Sequence, residues 1–264
     1  MYDFPGTGYP PLSEHQPLLV PSSWKFIKQK NITVGLFFEL FEKSIDADAQ
    51  VLSLSLQCLT WLVTLKRSMF VSIDERREFL GYFMDGIISI LSLSNSSPGH
   101  SSPFQIEEVY HGVCRLLDHT RCSFPFTDFI LSPSFETWIE RVHSFTVNAL
   151  SFVQGSAFHS GQTYLLDLWS PMASNSLKPT AVLQIHPSKA ELNARMSLLS
   201  KLTHSVAMSF VDSKLRIAEL VSRDDLGIED PLLEGAPSEF ASLSMLIRPQ
   251  VISGIGFGNH ISSI

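Results

Sequence analysis

Phe79, Leu80, Phe83, Met84, Ile87, Ile88 and Leu91 fall at helical spacing, and this stripe constrains the chain more than any other feature. Apolar residues recurring every three or four positions gather on one face of an α-helix, which another element must then cover. The pattern recurs along the chain. Leu36, Phe37, Leu40 and Phe41 begin it, and Trp138, Ile139, Val142, Phe145, Thr146, Ala149, Phe152 and Val153 repeat it. Between them lie residues 51–65, "VLSLSLQCLTWLVTL", apolar nearly all round, residues 106–117, "IEEVYHGVCRLL", and a stretch opening at Tyr164, "YLLDLWSPM". Outside these helices no run of strand length alternates apolar and polar residues.

Helix boundaries are marked by their own chemistry. Ser72 or Asp74 is placed to cap the helix carrying "ERREFLGYFMDGII", with Asp74, Glu75 and Glu78 near its positive end. Ser134 after Pro133, and Ser188 after Pro187, mark two further starts. Pro171 removes a donor and disfavours helical geometry at Ser170, so the spacing predicts a bend or stop there, with Trp169 anchored against Phe145 and Phe152. Grouping helices by two gives pairs whose first members begin near residues 34, 79 and 138. Their spacings, about 45 and about 59 residues, bracket a helix-pair repeat, the longer one including an irregular "RCSFPFTDFILSP". The expected fold class is all-α, a HEAT/ARM-like helical-pair solenoid segment. Residues 1–31 read as an extended Pro-rich opening segment, 32–222 as the repeats, 223–250 as an acidic loop with a short helix, and 251–264 as a tail that is either flexible or unrelated to the rest.

Charge narrows the partners. The 19 Lys and Arg against 26 Asp and Glu give a net charge of -7, which argues against nucleic acid and anionic membranes and favours basic protein surfaces. Three cysteines, Cys58, Cys114 and Cys122, cannot all pair with one another, and the chain opens without a secretory leader pattern. A reducing intracellular compartment is expected, where the acceptor-like tripeptides at Asn31 and Asn95 stay unmodified. The uncharged runs 49–65 and 142–166 are interrupted by polar residues, so no membrane insertion is expected.

Chemistry-bearing residues are sparse. His111, Cys114, His119 and Cys122 have metal-ligand types, but on one helix His111 and Cys114 lie about 60° apart while His119 points about 80° to the other side. A buried Cys114 between Tyr110 and Leu117 is the expected arrangement. "GSAFHSG" (155–161) has serine, histidine and glycine without a strand-to-helix elbow, and "GIGFGNHI" (254–261) has glycines without a strand, a helix or a lysine around them. Asp46, Asp48, Glu107 and Glu108 stand at helix starts, where the dipole favours solvated carboxylates. The reading is of a protein that is not an enzyme, with no catalytic, cofactor or metal residue and no assigned binding residue.

The order of the helices adds a resemblance. "SW" (Ser23, Trp24), "LFF" (Leu36, Phe37, Phe38), "RSMF" (Arg67 to Phe70), and "YH" with "CRLL" (Tyr110, His111, Cys114 to Leu117) follow one another as in the exportin-7 and Ran-binding protein 17 family. These are nuclear transport receptors of the importin-β superfamily, and the chain resembles a central fragment of them over roughly residues 2–240, where "SKLRIAELVSRDDLGIEDPLLEG" looks like the family's helix and acidic Asp-Pro-Leu turn. The resemblance implies Ran-dependent nuclear export by protein binding, with protein cargo, Ran-GTP and nuclear pore proteins as partners, and shuttling between nucleus and cytoplasm. It also implies a fragment or partial gene model that lacks the arch supplying much of the Ran contact. The alternative is a self-contained helical scaffold or adaptor unrelated to transport.

Overall fold

The computed structural model describes residues 20–21, 23–28, 33–45, 48–93, 104, 106–151, 161–162, 164–170 and 188–222. Three of its helices start where a side chain satisfies a free amide of the first turn. Asp48 accepts from the Gln50 N–H and opens α1's successor, so that α1 (Gly35–Lys43) is followed by α2 (Ala49–Val63). Ser72 accepts from the Glu75 N–H, and Glu75 reaches back to the Val71 N–H, to start α3 (Ile73–Ser92). Next come α4 (Glu107–Ser123), the short α5 (Phe126–Leu131), α6 (Phe135–Ser151), and the helical residues 164–170, here α7. The long α8 (Lys189–Ser222) begins where Ser188 accepts from the Glu191 N–H.

Successive helices alternate between two layers. One layer runs α1, α3, α6, α8, each packed on the next. The other sets α2 against α4, and α4 meets the α7 region where Gly161 lies against the Tyr110 ring. Within a pair, α1 packs on α2, and Trp169 of α7 donates its indole N–H to Thr146 of α6 at 3.0 Å. This is an all-α, HEAT/ARM-like helical-pair solenoid segment. No strand occurs among the described residues.

The core fills the space between the layers. Phe41, Leu52, Leu56, Leu80, Phe83, Phe129, Phe135, Trp138 and Trp169 are all fully buried. Each such side chain contributes roughly 1.5–3 kcal/mol on burial, and most of it comes from neighbours in other helices, which is why the pairs stabilise one another. Close approach depends on glycine at the seams. A Cβ on Gly86 of α3 would collide with the Phe38 ring of α1, and one on Gly112 of α4 would stand 2.8 Å from Leu56 Cδ1 of α2.

The structure departs from the sequence reading in the turn after α4 and in the opening segment. The stretch expected to be irregular after residue 120 is largely helical: α4 continues to Ser123, and α5 packs against both α3 and α6. Phe124, Phe129 and Ile130 supply the reason, since all three are buried and only a folded-back turn can place them together. Within the opening segment, Lys25–Lys28 form a 3₁₀ turn, because Lys28 donates to the Met69 carbonyl at 2.8 Å and pairs with Glu75 at 2.5 Å. Ser170 is still helical and buried, and the expected break at Pro171 lies outside the described residues, as do residues 223–264.

Candidate interaction surfaces

The candidate metal ligands do not converge. Cys114 is buried on α4, and burial pushes its thiol up to about 12. His111 is partly buried and sits 3.7 Å from Glu107 one turn earlier, while Cys122 is exposed at the far end of the helix beside Asp118 and Arg121. Among the described residues no group of three or more His, Cys, Asp or Glu is arranged to hold a metal ion. Asp48 caps α2, and Glu107 and Glu108 occupy the first turn of α4. Asp46, residues 155–160 of the "GSAFHSG" stretch, residues 254–261, and Asn31 and Asn95 lie outside the described residues.

Trp169 is anchored to α6 through residues the apolar pattern did not single out for it. Its ring meets His143 edge-on, with centroids 6.2 Å apart, besides the bond to Thr146. Phe145 turns its ring toward Phe104 and Tyr110 instead, and Phe152 lies outside the described residues. His143 also meets Ser205 of α8 at 2.9 Å, and burial holds its pKa below the usual imidazole value despite Glu140.

Three arginines that sequence reasoning missed hold the turn between α4 and α6. Arg76 donates to the Ser123 carbonyl and lies over the Phe124 ring, and Arg77 pairs with buried Asp128 at 3.0 Å. From the opposite side Arg195 of α8 donates to the carbonyls of Ile130 and Ser132, and to Glu136 and Glu191. A visible signal existed for Arg195. It stands on the apolar stripe between Leu192 and Leu199, where a charge requires buried partners.

Carboxylates are frequent on the outer surface. Glu39, Glu42, Asp74, Glu78, Asp85, Glu136 and Glu140 are exposed on α1, α3 and α6, three helices of one layer. Further along that layer α8 exposes Lys201 and Arg216 together with Glu191 and Asp212. By contrast α2, in the other layer, carries no charged residue and exposes Leu54 and Trp61. No helix among the described residues is long and apolar enough to cross a membrane. The described residues thus form an α-helical solenoid segment with extended outer faces.

No family model matches the chain, and no solved structure does. The chain is similar to Exportin-7 of Dictyostelium discoideum, with 24% identity over 196 residues. That match covers 74% of this chain and 17% of the relative, so the chain spans about a sixth of the relative's length. The likeness is consistent with a relation to exportins.

Proposed function

We propose that this chain is a segment of a nuclear export receptor that works by binding proteins, with Ran-GTP controlling when cargo is held. The observation that carries the proposal is the likeness to an exportin along three quarters of a chain that folds as stacked helical pairs. A stack suits the task. Small rotations at each seam add up to a change of curvature, so a ligand at one place alters the surface offered at another. The carboxylates on α1, α3 and α6 favour cargo with basic surface. Nuclear pore proteins are the remaining partners, and shuttling between nucleus and cytoplasm follows from the same reading.

The test uses the protein captured from its own cells by a tag on the chromosomal copy. It is incubated with nuclear extract and with Ran loaded with either a non-hydrolysable GTP analogue or GDP. Cargo proteins are expected to stay bound with the GTP form and to be lost with the GDP form. Retention that ignores the nucleotide overturns the proposal and favours a scaffold unrelated to transport.

A further inference from the structure

The stretch from the end of α4 to the first turn of α6, Ser123 to Glu136, is tied to helices on both of its sides. On one side α3 holds it through three residues. Arg76 donates to the Ser123 carbonyl, Arg77 donates to the Asp128 carboxylate at 3.0 Å, and Asp85 accepts from the Ser134 hydroxyl. Asp85 lies 9 residues beyond Arg76, so these ties are spread over about 13 Å of helix and resist both sliding and rotation of α3. On the other side Arg195 of α8 donates to the carbonyls of Ile130 and Ser132 and reaches Glu136 of α6. Phe129 of α5, fully buried, packs on Trp138 of α6 with ring centroids 5.2 Å apart. One short stretch therefore joins α3, α6 and α8, although α6 lies between the other two.

The seam between the first two pairs is made differently. Phe38 of α1 lies against Gly86 and Phe83 of α3, and Leu56 of α2 against Gly112 of α4. A ring or a leucine over a bare glycine meets no side-chain ridge that would interlock with it. Lys28 bonds to Met69 and Glu75, at the α2–α3 connection, where the chain itself already links the two pairs. Apolar contact is non-directional and permits small shear of packed helices, whereas hydrogen bonds from a guanidinium weaken steeply with a change of angle. We infer that the Ser123–Glu136 stretch is a brace that holds α3, α6 and α8 as one rigid unit, so that the stack bends at the seam between α1/α2 and α3/α4. The exposed carboxylates then fall into two groups. Asp74, Glu78, Asp85, Glu136 and Glu140 keep their mutual spacing, while Glu39 and Glu42 of α1 swing relative to them. The inference rests on contacts within the fold and does not depend on the transport reading.

Paired nitroxide labels on the 264-residue chain test it. Cys58→Ser and Cys122→Ser remove the accessible thiols, and Cys114 is buried. Ser89→Cys with Ser197→Cys then spans α3 to α8, and Glu42→Cys with Ser144→Cys spans α1 to α6, all four positions being exposed. Each label pair crosses one intervening helix, so the two are matched except for the brace. Double electron–electron resonance is expected to give a distance distribution roughly twofold narrower for the braced pair than for the other. Asp128→Ala combined with Arg195→Lys cuts the brace on both sides and widens the braced distribution roughly twofold, leaving the α1–α6 distribution as it was. An unchanged helical circular dichroism spectrum shows that this variant is folded. Equal widths before the brace is cut overturn the inference whether or not that variant folds, and a braced pair that stays narrow in the folded variant overturns it as well.

Discussion

The Phe38 ring on α1 occupies the space where a side chain on Gly86 of α3 would stand. The contact therefore requires a glycine in a helix interior, where glycine by itself costs about 1 kcal/mol relative to alanine. A second glycine on the same helix provides the comparison. A Cβ on Gly81 meets nothing within 4 Å. Gly81→Ala is expected to stabilise the chain by up to about 1 kcal/mol, and Gly86→Ala to destabilise it by about 1–3 kcal/mol through overpacking. Urea unfolding of the two variants, at one protein concentration, is the measurement. Equal effects would show that the seam has room.

Arg195 is one of three arginines that hold the turn between α4 and α6. Its guanidinium satisfies the carbonyls of Ile130 and Ser132 at 2.6 and 3.0 Å, at the end of α5, while its side chain is only 7% exposed. Arg195→Ala leaves those acceptors without the cation and is expected to cost about 2–4 kcal/mol. Lysine cannot reproduce a planar fork directed at several acceptors, so Arg195→Lys recovers little of the loss. Glu136→Gln removes a more exposed partner and costs under about 1 kcal/mol. Hydrogen exchange localises the effect: faster exchange should concentrate in α5 and the start of α6.

Trp169 and Thr146 form a buried pair that joins α7 to α6. Thr146→Val keeps the shape and removes the acceptor, leaving an indole N–H buried without it, at a cost of about 1–3 kcal/mol. Trp169→Phe removes the donor along with part of the ring. Adding Thr146→Val to Trp169→Phe should then cost clearly less than Thr146→Val does alone, and a double-mutant cycle reads the difference as coupling. Additive losses would mean that the hydroxyl matters only to the Val142 carbonyl, with which it also bonds.

The helices were legible because their stripes repeat at the spacing that burial selects. Of the stripe predicted from sequence, Phe79, Leu80, Phe83, Met84, Ile87 and Leu91 are buried on α3 and Ile88 is partly buried. Ser72 and Ser188 cap as their side chains suggest. The α5 turn was not legible, because six residues are too few to show a period and its stability comes from arginines on α3 and α8, far away in sequence. Lys28 was hidden for the same reason: its partners Met69 and Glu75 are brought to it only by the fold. The exposed stripe on α2 is the opposite case. Residues 51–65 are apolar nearly all round, and Leu54 and Trp61 are exposed while Leu52, Leu56, Leu59, Leu62 and Val63 are buried. Composition reports that a helix is apolar all round, while only the layer arrangement shows which of its side chains are covered.

His143 makes stability depend on pH with a definite sign. It sits at the meeting of three helices, with Ser205 of α8 on its Nε2, Trp169 of α7 against its ring, and Glu140 one turn earlier on α6. Burial lowers its pKa from 6.5, and the nearby Glu140 offsets only part of that effect. The unfolded chain therefore takes up a proton before the native chain does as pH falls. The neutral ring's contribution is fully present above the unfolded value of 6.5 and is lost progressively as pH drops from there toward the lowered native value. Unfolding free energy should accordingly be greater at about pH 7.5 than at about pH 5.5, by a margin that His143→Asn reduces. Proton NMR on the folded chain should place the His143 midpoint below 6.5. A midpoint above that value would reverse the predicted sign and would mean that Glu140, not burial, dominates at this junction of α6, α7 and α8.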